Sequence, residues 1–484
     1  MSRAPTPPNQ SPNVLLVVLD TVAARYTSLH GYGRETTPGL DRLADEPETT
    51  VFSQARAPSN WSLPSHASLL TGVPASLHEL TMERRLRADA TVFERLADAG
   101  YRTAVVSENP WLTDHPAGFA FAFETVVSQA DVSASREGSD TPDGYDYAGA
   151  LLDWVDDAAA KGEPWAACLN LMDAHFPYRV REPHDEFGGP VAWAVHDSLP
   201  RRWEWDVYAG DLSSGVPGLL EPLYESAIRQ VDAVVEGVVS ELRERGMADE
   251  TLLVVTSDHG ECFGAPPPTP AEPPAVEHGL GTHESLYHVP LLVRRPTGLD
   301  SVGRADERRA SEGQTCGGRV TSLAAVARFP EAVAAARGGA DPVAAFRPPE
   351  GRVVAHQPRL HETLRERARD ICPDPERFAR SATLLYEDRD GDAVRKRAVF
   401  GDTAYETTIR GTTRGVRSPG DSEAVRTEAD AVADTHVRQP DRGSDSAPDE
   451  SLTLRLAETD ESLIERTGTE TDAVAERLAD LGYL

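Results

Sequence analysis

The chain has 484 residues, more than one hydrophobic core normally serves, and so predicts a large domain with a smaller one attached. Lys plus Arg amount to 48 and Asp plus Glu to 79, a net charge of −31 that argues against nucleic acid as a partner, because such a surface repels phosphates. Lys161 and Lys396 are the sole lysines, and the acidity runs the whole length of the chain. That pattern points to salt adaptation, in which carboxylates keep the surface hydrated while concentrated salt screens their repulsion; binding of cations or basic partners is the alternative.

In chain order, residues 1–12 are rich in Pro, Ser and Asn and predict a disordered N-terminus. Asn13 to Asp20 is a continuous apolar run closed by an acid, the pattern of a strand buried on both faces. A short helix follows around Leu40–Ala44 with Pro38 near its first turn, and another over 65–72 that ends at Gly72. Thr91–Ala99 has helical spacing, Tyr101–Ser107 predicts a strand, and the polar stretch 128–144 predicts a surface loop. Tyr147–Ala160 predicts a helix, Trp165–Leu171 a buried strand, 219–246 a long amphipathic helix and Thr251–Ser257 another buried strand. Strands alternating with helices predict an α/β fold, an α/β/α sandwich around a large, mostly parallel (mixed) sheet. Ala382–Tyr386 and Lys396–Arg410 predict short antiparallel strands of a smaller C-terminal α+β subdomain. The division expected is a catalytic domain over 13–320, a subdomain over 321–416, an acidic disordered linker over 417–450 and a C-terminal segment, 451–484, ending in a helix over Asp472–Leu484.

Cys168, Cys262, Cys316 and Cys372 show no metal-site or disulfide-framework spacing and predict free thiols in a reducing compartment. No run approaches the ~20 apolar residues of a membrane helix, and Val14–Leu19 is too short for the core of a signal peptide. The expectation is a cytoplasmic protein without a membrane span.

Three segments bring chemistry to strand ends or a helix start. Asp20 closes the first strand, Ser62 precedes the helix that follows Pro64, and Asp258-His259-Gly260-Glu261 closes the strand from Thr251. Ligands of open α/β sheets bind outside the carboxyl ends of the strands, so these segments can converge. Two carboxylates, an imidazole and a hydroxyl suit one divalent cation, Ca²⁺, Mg²⁺, Mn²⁺ or Zn²⁺. A serine beside a cation at a helix N-terminus can act as a nucleophile. Taken singly, each residue has a plainer reading, Asp20 and Ser62 as helix caps and Asp258-His259 as a turn.

Taken in order, the motifs resemble those of the sulfatase family of the alkaline phosphatase superfamily, in the acidic form of haloarchaea. They are Asn13–Thr21 with His30-Gly-Tyr-Gly and Thr36–Leu43; Ser62-Leu-Pro64-Ser-His66 through Gly72; Glu94–Thr103; Met172-Asp-Ala-His175-Phe-Pro177-Tyr178; Thr256–Glu261; Glu277-His278-Gly279; and Ser285–Leu292. The closing Glu476–Leu484 is similar to the family's C-terminal helix. The resemblance implies that Asp20, Ser62, Asp258 and His259 hold the metal and that Ser62 is the nucleophile. It implies that His175 contacts the transferred sulfate or phosphate group and that His283 supplies a cationic contact, with His278 close enough to take that role. Departures are as telling. His66 stands where sulfatases that oxidise their nucleophile to formylglycine carry Arg, so that modification is not expected; Thr21 replaces a second aspartate, His259 replaces Asn, and Ser107-Glu108-Asn109 replaces a Lys-x-His pair. The Pro-rich insert Pro266–Pro274 is expected to overhang the pocket. The implied activity is metal-dependent hydrolysis of small-molecule or glycan sulfate esters through Ser62. The alternatives are a phosphodiesterase, phosphonate monoester hydrolase or phosphoglycerol-type transferase, and a non-catalytic binder of sulfated or phosphorylated glycans.

Overall fold

The structure, a computed structural model, describes residues 11–135, 141–297, 299, 315–316, 318–389, 393–410 and 464–466. Of the expected disordered residues 1–12, residues 1–10 lie outside them, as do the linker 417–450 and the helix Asp472–Leu484; Pro12 is instead buried, its carbonyl accepting from Tyr101 Oη at 3.0 Å.

A nine-stranded sheet forms the centre. Its strands are β1 (Asn13–Leu19), β2 (Thr49–Arg56), β4 (Arg102–Val106), β5 (Thr125–Val127), β6 (Trp165–Leu171), β7 (Thr251–Thr256), β10 (Leu291–Arg294), β11 (Thr315–Cys316) and β12 (Arg319–Ala325), in the spatial order β11-β12-β2-β10-β7-β1-β6-β4-β5. β1 runs parallel to both neighbours, whereas β10 is antiparallel to β2 and β7, so the sheet is mixed but mostly parallel. Alternation along β1 divides the core: Leu15, Val17 and Leu19 face one cluster, and Val14, Leu16 and Val18 the other. Helices Gly144–Ala160 and Glu221–Glu244 cover the first face, and helices Ser62–Thr71, Val92–Asp98 and Phe329–Arg337 the second. Each fully buried Val or Leu contributes about 1.5–3 kcal/mol, which is why the strands read as unbroken apolar runs.

Outside this sheet, β3 (Arg84–Leu86) pairs with β17 (Ile464–Arg466), and β8 (Cys262–Ala265) pairs with β9 (Ala275–Glu277) around the Pro-rich insert. The remaining strands, β13 (Arg352–Gln357), β14 (Ala382–Asp388), β15 (Ala393–Phe400) and β16 (Thr403–Arg410), form a separate antiparallel sheet. The fold is therefore the expected α/β sandwich with a smaller C-terminal sheet. β12 belongs to the large sheet and helix Phe329–Arg337 packs on it, so the separate small sheet begins only at Arg352.

One expectation is corrected. The stretch 128–144 contains a helix, Gln129–Ala134, and its last residue starts the helix Gly144–Ala160. Both starts carry capping boxes, Ser128 with Asp131 and Asp143 with Asp146, so the polar residues that suggested a loop satisfy helix amides instead.

Candidate functional site

β1 lies between β6 and β7, and the register Val18↔Thr256 brings the ends of β1 and β7 side by side. Two residues on, Asp20 and Asp258 leave the sheet at its carboxyl edge. Ligand atoms of Asp20, Asp258 and His259 lie within 4.8 Å of one another, and all three side chains are buried.

Hydrogen bonds aim each ligand. The backbone N–H groups of Thr21 and His259 donate to Asp258 Oδ1 at 3.3 and 2.9 Å, so Oδ2 faces the cluster, where it has no hydrogen-bond partner. His259 Nδ1 donates to the Gly260 carbonyl at 3.1 Å, which leaves the lone pair on Nε2. That Nε2 stands 3.3 Å from Asp258 Oδ2 and 3.3 Å from Ser62 Oγ. Burial, and then the charge of His278, hold the His259 pKa down at about 3, so the ring is neutral. A lone pair turned on a buried carboxylate oxygen is repulsive unless a positive charge sits between them.

Asp20 completes the argument. Its Oδ2 accepts from Asn109 Nδ2 at 2.9 Å and Asn170 Nδ2 at 3.0 Å, while its buried Oδ1 has no partner. Ser107 Oγ accepts from Asn170 Nδ2 at 3.2 Å and from the backbone N–H of Asn109 at 2.9 Å. Two aimed, unpartnered carboxylate oxygens, an imidazole nitrogen and a hydroxyl fit a divalent cation of hard or borderline character. Sequence reasoning noted Asn109 only as a departure from the family's Lys-x-His pair and missed Asn170. The available signal was Asn170 itself, a polar residue inside an otherwise apolar buried strand.

Local backbone supports the placement. Thr21 adopts φ 64°, uncommon for a β-branched residue, and Tyr224 Oη grips the turn by donating to the Thr21 carbonyl and accepting from Ala23 N–H, each at 2.9 Å. Gly260 has no room for a side chain: a Cβ there would lie 1.9 Å from the Ser285 carbonyl oxygen.

Ser62 is buried at the first turn of the helix Ser62–Thr71, after an extended Trp61. The positive end of that helix dipole favours an anionic oxygen. One turn on, the buried His66 places Nδ1 2.9 Å from the Ser62 carbonyl and 3.6 Å from Asp258 Oδ2.

His175 follows β6 and donates from Nδ1 to the Phe176 carbonyl at 2.7 Å. The His278 ring lies 5.0 Å from that of His175 and 4.5 Å from that of His259, centroid to centroid. His278 Nδ1 is 3.3 Å from Glu261 Oε2, and burial pushes the Glu261 carboxyl up to about 7. His283 is placed differently. Its Nδ1 caps the turn at Ser285 N, 3.3 Å away, and stands 3.4 Å from Cys262 Sγ. The structure thus brings His175 and His278 to the cluster, while His283 lines neither the cluster nor the cleft beside it.

That cleft, about 910 Å³ with the solvent at its mouth included, runs from His175 and His278 past Trp61, Arg201 and Trp205 to Arg359. No residue of Pro266–Pro274 lines it. Instead Glu272 of the insert accepts from Thr282 N and Oγ1 at 2.6 and 2.8 Å, bracing the segment between His278 and His283.

Comparison with known proteins points to one family. Human arylsulfatase A is 22% identical over 278 residues, covering 51% of this chain and 52% of that protein. Arylsulfatase K of Gallus gallus is 23% identical over 338 residues, covering 60% of each. The chain thus spans between half and three-fifths of the length of these relatives. A phosphonate monoester hydrolase of Agrobacterium radiobacter shares the fold, with a TM-score of 0.56 at 17% identity over 87% of this chain and 94% of that one. The family model described as Sulfatase matches residues 12–314, a span that contains every ligand of the cluster, and the chain belongs to the sulfatase family of the alkaline phosphatase superfamily.

Proposed function

We propose that the protein is a metal-dependent hydrolase of sulfate esters, with Ser62 as nucleophile. The observation that carries this reading is the buried cluster of Asp20, Asp258 and His259 with Ser62 Oγ 3.3 Å from His259 Nε2. Asp20, Asp258, His259 and Ser62 would hold the cation, which when bound lowers the pKa of a coordinated hydroxyl and neutralises anionic oxygens. The chain's own residues do the rest. The helix N-terminus stabilises an anionic Ser62 Oγ, positioned for in-line attack on sulfur or phosphorus. His175 contacts the equatorial oxygens, and on its placement His278 shares that contact in preference to His283. Asn109 and Asn170 hold Asp20 in orientation.

The second reading is a phosphonate monoester or phosphodiester hydrolase, and the specific observation in its favour is His66. With histidine in the arginine position, Ser62 is used as serine, and its ester adduct has to be broken by a second attack at the central atom. That route suits phosphorus better than sulfur. The assay compares an aryl sulfate, a phosphate diester and a phosphonate monoester at high salt with each of the four cations. Turnover of at least one, abolished in Ser62→Ala, is the expected result; undiminished turnover in Ser62→Ala overturns the assignment. We further infer a salt-rich cytoplasm as the working compartment. The net charge of −31 supports this, as do the buried free thiols of Cys168, Cys262 and Cys372.

A further inference from the structure

The cleft is basic in a chain that is otherwise strongly acidic. Arg201, Arg202 and Arg359 line it, with Arg201 on the turn before helix Glu204–Ala209 and Arg359 on the loop after β13. Among the described residues most other arginines are matched to carboxylates, as in Arg42–Glu236, Arg181–Asp143 and Arg245–Asp156. Arg202 follows that pattern, 2.8 Å from Glu204 and over the Trp205 ring at 5.9 Å. Arg201 and Arg359 do not. Both are exposed, and among the described residues neither has a carboxylate within ion-pairing distance. The other charges facing the cleft cannot supply one: Glu204 is committed to Arg202, Glu277 is pushed up by burial and by Glu204 toward its neutral form, and His361 is paired with Glu83 at 3.3 Å. With 79 acidic residues against 48 basic ones, two unmatched guanidinium groups from separate segments lining one cleft mark a place where the partner brings the anion. Trp61, partly exposed at the same cleft, gives it an apolar wall for a ring.

We propose that Arg201 and Arg359 select esters whose alcohol portion carries a second anionic group on a ring-shaped body. The scissile ester group sits at Ser62, and the second anion, a carboxylate, sulfate or phosphate, meets the two guanidinium groups further along the cleft. This rests on the reading of Ser62 and its neighbours as the reacting centre. The selectivity belongs to the ground state as well as the reaction, so it can be tested separately.

The experiment uses matched 4-nitrophenyl sulfates and phenylphosphonates with either a carboxylate or a carboxamide at ring position 3, equal in size and different in charge. Each exposed arginine–anion contact supplies about threefold, so the carboxylate ester should be preferred about tenfold in kcat/KM, mostly through KM. Arg201→Gln/Arg359→Gln should bring that ratio to about one while leaving the carboxamide ester within about threefold, and the double lysine variant should keep part of the preference. Calorimetric binding of the two esters to Ser62→Ala protein, with and without the arginine substitutions, gives the same comparison without turnover. If no ester is hydrolysed but the binding ratio still collapses with the arginines removed, the catalytic reading falls and the selectivity stands. A ratio near one in the unsubstituted protein, or one that survives the double glutamine variant, overturns the proposal.

Discussion

Substituting Asp20 by Asn should make the metal-free protein more stable and the metal-loaded protein less so. With their ligand atoms no more than 4.8 Å apart, the Asp20 and Asp258 carboxylates repel by about 3.5 kcal/mol at an effective permittivity of ~20. Asparagine removes that repulsion at nearly constant volume. Its carbonyl can still accept from Asn109 and Asn170, and its new N–H faces Asp258 Oδ2, an acceptor with no donor of its own. A cation at 1,000 times its dissociation constant stabilises the unsubstituted protein by about 4 kcal/mol, and that gain should largely vanish when an anionic ligand is lost.

Melting curves of both proteins, each with chelator and with saturating cation, should therefore cross. In chelator Asp20→Asn should melt higher by about 5 °C, and in metal it should melt lower. Two results would refute the reasoning: an unsubstituted protein whose melting temperature ignores chelation, or an Asp20→Asn variant that melts lower in chelator. Either would mean that the two carboxylates do not share a cation site.

The other expectations concern the surroundings of that site and the surface. Asn109→Ala should weaken metal affinity by about 10- to 100-fold, because one of the two amides aiming Asp20 is gone; isothermal titration reads it, and unchanged affinity would remove Asn109 from the site. Peptide mass spectrometry of protein from its native host should show Ser62 unmodified, whereas a loss of two hydrogens on that peptide would establish formylglycine and favour sulfate esters. The melting temperature should climb from 0.2 to 3 M KCl as the Debye length falls below ~3 Å, since −31 charges then repel less; a flat or falling series would count against salt adaptation.

The large sheet was legible wherever burial is purely apolar. β1, β6 and β7 are buried on both faces, and such strands carry no polar residue to break the pattern until they reach the site. β2 lies just as deep in the sheet yet carries no such signature, because Gln54 and Arg56 are buried in it. Arg56 is affordable there only through tertiary partners: Gln54 Oε1 at 2.8 Å, Glu284 Oε1 at 2.9 Å and the Tyr386 ring at 4.9 Å. Glu284 and Tyr386 come from segments more than 200 residues away, and no local pattern announces them. The helix Gln129–Ala134 escaped notice for a related reason, since a capping box is built from the polar residues that also mark loops.

Within the site, residues that act from a strand end were visible and residues that act through another side chain were not. Asp20, Asp258 and His259 stand at positions where an apolar run stops on a charged or polar group, so position alone singles them out. Asn109 and Asn170 reach the site only through the far oxygen of Asp20, and that role exists only once three strands are aligned. The choice between His278 and His283 was open for a different reason. Glu277 adopts φ 52° and Gly279 φ 88°, so the backbone turns on both sides of His278 and swings its ring onto His259 and His175. A left-handed glutamate costs about 1 kcal/mol or more and survives only when its surroundings over-determine it. Here they do: β8 pairs Glu277 opposite Cys262, and Gly279 N–H donates to the Asn60 carbonyl at 2.8 Å, two residues before Ser62. The same contact ties His278 to the nucleophile's own loop, so Gly279→Ala should displace His278 and lower turnover without touching the metal ligands.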